Sequence, residues 1–299
     1  MTTPHWALLG RATQLRPGAA HVHGAKLALF RDARGAIAVA PDACPHRGAS
    51  LTASGITVVD GCVKCPYHGL AVKGLYRVVE DAVGDAWMSV ADAAGAPPPP
   101  PPEFLDPAYR TIAYVKDLPD VNPVLMTENT IDHAHLAHVH RVHFVKDDPY
   151  VTVHDTGNPE HGLAVYEWPE RNGYRLVIEN EYRLPFTTSL RFIVTDVKTG
   201  ERQPALVLGF TVTPQGEAGQ GAGCRLHLRI ARGVLRCAAL DGLFKLVDEL
   251  PLAEDADLVR TVDPSQWSWN RLTADDAFVR QYRGAMTAAY PGLLRAYVS

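Results

Sequence analysis

Cys44-Pro45-His46-Arg47-Gly48 and Cys65-Pro66-Tyr67-His68-Gly69 are two versions of one short phrase, with eighteen residues between His46 and Cys65. Thiolates and neutral imidazoles are the ligand types that bind transition metals. In each copy a proline stiffens the turn and a glycine just past the histidine allows close backbone approach. Three objects suit two thiols and two imidazoles. A disulfide leaves both histidines without a task. A structural zinc takes such a set, and Cys62 with Cys65 makes the C-x2-C pair that zinc sites use. A [2Fe–2S] cluster in which two histidines replace two cysteines on one iron takes it as well. The paired proline and glycine positions favour the cluster, since two similar loops then grip one object from both sides. Cys62 reads as a small buried side chain beside it.

A second constellation follows. Five histidines, His133, His135, His138, His140 and His143, crowd into sixteen residues from Glu128. Asn129, Asp132, His135 and His140 spell N-x-x-D-x-x-H-x4-H. Asp132 and His135 share a helical face at i,i+3. His135 and His140 at i,i+5 stand about 140° apart on an ideal helix, so they meet at one metal only if the helix is distorted or ends between them. Two imidazoles and a carboxylate make the facial triad of mononuclear Fe(II) oxygenases, with positions left open for O2. The segment Glu254-Asp255-Ala256-Asp257 offers three carboxylates. Asp255 is the choice, with Asp257 the other aspartate to consider. His133, His138 and His143 fall off the pattern and read as surface or packing residues.

The elements that must carry these groups follow from the pattern. Ala25–Phe30 and Ala36–Ala40 flank a polar turn ending in Gly35, and Asp60-Gly61 is a strong hairpin pair. Six prolines, Pro97–Pro102, favour a stiff polyproline II connector, so the chain divides into domains at 1–102 and 103–299. Helical character is expected over 128–144, and long antiparallel strands from about Ala164 to Ile230. Helical spacing returns after Cys237, with Pro251 kinking the helix or starting a new one. A final amphipathic helix is expected over about Ala274–Tyr297. Trp168, Phe186, Phe192 and Phe210 fall on the expected strands, as ordinary core or as the wall of an apolar substrate cavity.

Composition narrows the classes. The 299 residues are 46% apolar and 21% charged, with a net charge of −4, which argues against nucleic acid. No apolar run is long enough to span a membrane, and the N-terminus lacks a secretory pattern. Five cysteines, three of them within Cys44–Cys65, fit metal chemistry in a reducing compartment better than a disulfide scaffold. A cytoplasmic protein is expected.

Residues 44–69 resemble the cluster loops of Rieske proteins, and residues 128–140 resemble the catalytic signature of Rieske non-haem iron oxygenases. The resemblance implies an α+β chain: a small all-β Rieske domain, then a helix-grip (START-like) antiparallel-sheet catalytic domain. It implies that Cys44, His46, Cys65 and His68 bind the [2Fe–2S] cluster and that His135, His140 and Asp255 bind Fe(II). Asp132 would bridge His135 to the cluster ligand His68 of a neighbouring subunit in a head-to-tail homotrimer, and Asn129 would sit near the iron. O2 is then the co-substrate. Electrons come from a ferredoxin or flavin reductase, with NAD(P)H acting only through that partner, and Arg47, Lys64 and Lys73 form a basic rim that could meet it. The compact catalytic domain is more like monooxygenases and demethylases without a β subunit than like a ring cis-dihydroxylating α subunit. The rival from another class is a non-catalytic Rieske electron-transfer protein, with no metal at His135 and His140; a zinc-stabilised binding module is a third.

Overall fold

The computed structural model describes residues 4–133, 135–140, 149–216, 223–267, 272–273 and 276–298. The chain divides into two compact units, Met1–Pro100 with Thr213–Ala218, and Pro101–Val212 with Gly219–Ser299.

The first unit is all β. Its nine strands are β1 (His5–Arg11), β2 (Gly18–Val22), β3 (Ala25–Arg31), β4 (Ile37–Pro41), β5 (Val58–Val59), β6 (Cys62–Lys64), β7 (Ala71–Val72), β8 (Val78–Glu80) and β9 (Asp85–Val90). They form three small sheets, ordered β1-β9-β8, β2-β3-β4 and β5-β6-β7. Strand β3 shows how they share apolar surface. Successive side chains point to opposite faces of a strand. Leu27 and Leu29 enter one core with Leu9, Val39 and Met88, while Ala28 and Phe30 enter another with Leu51, Val63 and Val72. The second core also holds Cys44 and Cys65, so the thiols of both arms rest on a packed apolar floor. The expected hairpins form: Leu27 to Arg31 pair with Ile37 to Pro41, and Val58-Val59 pair with Cys62-Val63 across Asp60-Gly61. Cys62 is half-buried rather than buried, because β6 is three residues long and turns it away from the face that holds Val63.

The second unit holds a seven-stranded sheet of β10 (Arg110–Leu118), β11 (Tyr150–His154), β12 (His161–Glu167), β13 (Tyr174–Arg183), β14 (Thr187–Asp196), β15 (Arg202–Gln215) and β16 (Gly223–Arg232). Strands β11 to β16 run as a meander, and β10 adds to the outside of β16. Trp168 and Phe186 lie just past strand ends rather than on strands. Trp168, Phe186 and Phe210 are core, and Phe192 packs at its margin.

Helices cover one face of the sheet. They are α1 (Pro123–Ile131), α2 (Leu136–Val139), α3 (Asp241–Thr261), α4 (Ala277–Ala289) and α5 (Pro291–Tyr297). Their apolar residues, among them Met126, Val259, Phe278 and Met286, join one core with Ile178, Tyr182 and Leu226 of the sheet, the two-layer solution for a sheet with one apolar face. Asn122 starts α1: its side-chain oxygen accepts from the Val124 and Leu125 amides, and Pro123 at the first position has no amide to satisfy. Helix α3 runs unbroken through Pro251 and does not restart there. The carbonyl that proline leaves free belongs to Val247, whose turn is exposed to water. The last helical stretch is two helices, because Tyr290 breaks the first and Pro291 opens the second.

Candidate functional site

The two cysteine–histidine arms of the first unit fold as the same loop. In one, the Cys44 amide donates to the Ala49 carbonyl (2.8 Å) and the Gly48 amide to the Cys44 carbonyl (2.7 Å). In the other, Cys65 donates to Leu70 (2.9 Å) and Gly69 to Cys65 (2.9 Å). Gly48 and Gly69 sit at φ +72° and +74°, where a side chain is strained. Cys44 and Cys65 are buried, whereas His46 and His68 are exposed, with ring centroids 5.0 Å apart. Two thiols thus lie inside and two imidazoles at the rim, facing one space. Backbone N–H groups of Tyr67 and then His68 draw the Cys65 thiol below its ordinary pKa, towards the thiolate that binds metal. Asp42, buried at the base of the first arm, accepts from Ser50 Oγ (2.7 Å), the Thr52 amide (2.8 Å) and Thr52 Oγ1 (2.9 Å), and pairs with Lys26. Arg47 and Lys73 are exposed, as are Tyr67 and Leu75, and Lys64 is half-buried.

The second constellation is assembled by a helix that stops. Helix α1 ends at Ile131, and Asp132 turns to an extended conformation (φ −80°, ψ 118°). His135 begins the short α2, and His140 follows it, again extended. The break removes the angular mismatch of an i,i+5 pair. The His135 and His140 rings meet edge to face with centroids 5.3 Å apart. Across from them is α3, whose buried stripe is Leu252, Asp255, Ala256 and Val259. Asp255 is therefore a carboxylate on an apolar helix face, and Asp257 on the same helix is exposed and paired with Arg260.

Nε2 of His135 lies 3.4 Å from Asp255 Oδ1, and Nε2 of His140 lies 3.6 Å from the same oxygen. One ligand atom from each of the three residues falls within 4.8 Å of the others. Both ring nitrogens of His135 are buried without a well-directed hydrogen bond, so Nε2, which faces Asp255, is free to take a metal ion. Burial works against charge on His135, yet Asp132 and Asp255 raise its pKa to about 9, so the site favours positive charge. Asp132 Oδ2 is 3.7 Å from His135 Nδ1. Asn129 Nδ2 reaches Asp255 Oδ1 at 3.4 Å, and Glu254 Oε2 lies 3.3 Å from His140 Nδ1.

His133 does not join the three. Its ring stacks on Tyr166 (3.7 Å, 12°), and burial pushes its pKa down to about 3, so it is a neutral packing residue. The side chain of His138 and all of His143 fall outside the described residues. Sequence reasoning missed Asn180, a fully buried amide on β13 between the core residues Ile178 and Tyr182. Its Nδ2 donates to the Thr130 and Ile131 carbonyls (3.4 and 3.3 Å) and lies 3.4 Å from His133 Nδ1. An asparagine on the inward face of an apolar strand was the signal that could have found it.

Residues 5–80 match the family model of the Rieske [2Fe-2S] domain. Over 144 residues the chain is 34% identical to the oxygenase component of dicamba O-demethylase from Stenotrophomonas maltophilia, a match spanning 40% of this chain and 42% of that protein. Over 69 residues it is 38% identical to the oxygenase subunit of 3-chlorobenzoate-3,4-dioxygenase from Comamonas testosteroni, covering 22% of this chain and 16% of the other. The chain thus spans less than half the length of either relative. Dicamba monooxygenase bound to 3,6-dichlorosalicylic acid superposes with a TM-score of 0.77 at 19% identity, over 95% of this chain and 96% of that one. A caffeine-bound NdmA variant from Pseudomonas putida CBB5 gives 0.74 at 18% identity, over 99% and 95%. At those identities the likeness is one of fold. Residues 5–80 thus match the Rieske [2Fe-2S] domain, and nearly the whole chain shares the fold of these solved oxygenase structures.

Proposed function

We infer that this chain is the terminal oxygenase of a Rieske-type monooxygenase system. It hydroxylates, or oxidatively demethylates, a small and largely apolar organic substrate. The carrying observation is the convergence of His135, His140 and Asp255 in a chain that also presents two thiols and two imidazoles on twin loops. An electron carrier has no use for the first of these. Two imidazoles and one carboxylate suit Fe(II) with open positions, and the inner thiols and outer imidazoles suit a cluster ligated on one iron by histidine. When bound, the cluster supplies single electrons and the iron supplies O2 activation.

The chain's own residues fix the geometry. Asp255 is held on the buried stripe of α3 with Asn129 donating to it, so its oxygen faces both Nε2 atoms. Asp132 lies 3.7 Å from the other edge of His135, the side from which a carboxylate would keep Nε2 as the ligating nitrogen. The same carboxylate is suited to link His135 to His68 of a neighbouring subunit in a head-to-tail homotrimer. Arg47, Lys73, Tyr67 and Leu75, all exposed and near the twin loops in sequence, suit an acidic ferredoxin or flavin reductase, and NAD(P)H acts only through that partner. Demethylation is favoured because one sequence relative is named an O-demethylase. Among the described residues no helix is long and apolar enough to cross a membrane, and we assign the work to the cytoplasm.

The test is turnover under ¹⁸O2 with a chemical or enzymatic electron source and a panel of methoxy- and N-methyl-arenes. Labelled hydroxylated product, or formaldehyde released in step with O2 uptake, is expected. A protein with a full complement of metals that reduces and reoxidises with neither labelled product nor formaldehyde release is an electron carrier instead.

A further inference from the structure

We propose that Glu254 is the positioning residue for His140, the outer carboxylate that makes its Nε2 the ligating atom. This rests on the reading of His135, His140 and Asp255 as a metal centre. Successive residues on a helix point about 100° apart, and Glu254 and Asp255 diverge accordingly. They address two edges of one ring. Asp255 Oδ1 lies 3.6 Å from His140 Nε2, and Glu254 Oε2 lies 3.3 Å from His140 Nδ1. Glu254 is therefore set on the edge of His140 opposite the one that faces Asp255.

The arrangement matches His135, whose Nε2 faces Asp255 and whose Nδ1 faces Asp132. Each imidazole thus has a carboxylate of its own behind it, one from the end of α1 and one from α3. A carboxylate accepting from the outer N–H fixes tautomer and ring orientation and raises the basicity of the inner nitrogen. His140 needs this more than His135 does. It stands beyond the end of the four-residue α2, in extended backbone, with no helix to aim it.

The test uses the cluster-containing protein, its mononuclear site cleared by chelator and titrated anaerobically with cobalt(II). Affinity and the cobalt EPR signal are read with the cluster oxidised and EPR-silent. Glu254→Ala is expected to weaken binding by about 10–100-fold and to shift the g-values. Glu254→Gln, which keeps an acceptor oxygen, is expected to lose less. Asp257→Ala removes the same charge from the exposed side of the same helix, where the aspartate pairs with Arg260, and is expected to change neither. An affinity for Glu254→Ala within about twofold of the parent, or an equal loss in Asp257→Ala, overturns the proposal. If the alanine variant loses its cluster or helical signal, Glu254→Leu, which fills the same volume, is read in its place. A parent protein with no cobalt signal that depends on His135 and His140 would fail the metal centre itself, a different result.

Discussion

Asn180 Nδ2 lies 3.3 Å from the carbonyl oxygen of Ile131, the last residue of α1. The same amide reaches Thr130, so one side chain from the sheet satisfies two carbonyls that a helix end leaves open. It fixes where the helix stops, and hence where Asp132 and His135 leave it. Asn180→Ala is expected to cost about 1–3 kcal/mol by leaving buried carbonyls unpaired, and to lower iron at the mononuclear site while the cluster content stays at the parent level. Denaturant unfolding and metal analysis of the purified variant check both.

Gly48 and Gly69 hold the same place in twin loops. A methyl group added at either meets nothing within 4 Å, so the cost is that of the backbone alone, about 1–2 kcal/mol for a left-handed conformation. Gly48→Ala and Gly69→Ala should therefore reduce cluster incorporation to similar extents, read as acid-labile sulfide per chain. A large loss in one and none in the other would mean that the arms are not equivalent.

Glu128, beside Asn129 on α1, is gripped by Arg283 of α4 and accepts from Trp267 Nε1 (2.7 Å). Both charged side chains are nearly buried. Arg283→Met should destabilise the protein by about 3–5 kcal/mol, because the carboxylate is left uncompensated. The double variant Glu128→Gln/Arg283→Met should recover most of that loss in chemical denaturation.

Asp248 lies on α3, bonded to the Tyr114 hydroxyl. Burial raises its pKa from 3.8 to about 6, with Tyr114 opposing the shift and Glu249 adding to it. Between those values the folded protein keeps a proton that the unfolded chain has released, so stability falls as pH rises through the window. A shift of this size is worth on the order of 3 kcal/mol above pH 6. Asp248→Asn is expected to raise the melting temperature at pH 8 and to do little at pH 4, as thermal scans at the two pH values will show.

The candidate ligand types were legible because their chemistry is local. Cys-Pro-x-His phrases and the N-x-x-D-x-x-H-x4-H run can be recognised within a few residues, and the hydrophobic alternation of β12 to β16 announces a sheet. The i,i+5 spacing of His135 and His140 even demanded a broken helix. The cause of the break was not legible, since Asn180 is some fifty residues away and reaches α1 only through the sheet. Position in the sequence favours Asp255 with Asp257 left open, and the burial phase of α3 adds a physical reason for that choice; Glu254 needed the direction of the His140 ring. Pro251 does not restart the helix, and the carbonyl it leaves free belongs to Val247, which is exposed to water. Two aromatic positions expected on strands proved to lie just beyond them.

Iron and acid-labile sulfide counts on anaerobically purified protein test the central claim most directly, alongside a His135→Ala/His140→Ala double variant. The account predicts two cluster irons with their sulfide and a third iron per chain, lost from the variant while the cluster spectrum is unchanged. Two irons in both proteins would contradict it and leave an electron carrier, and a colourless protein loaded with zinc would remove the cluster as well.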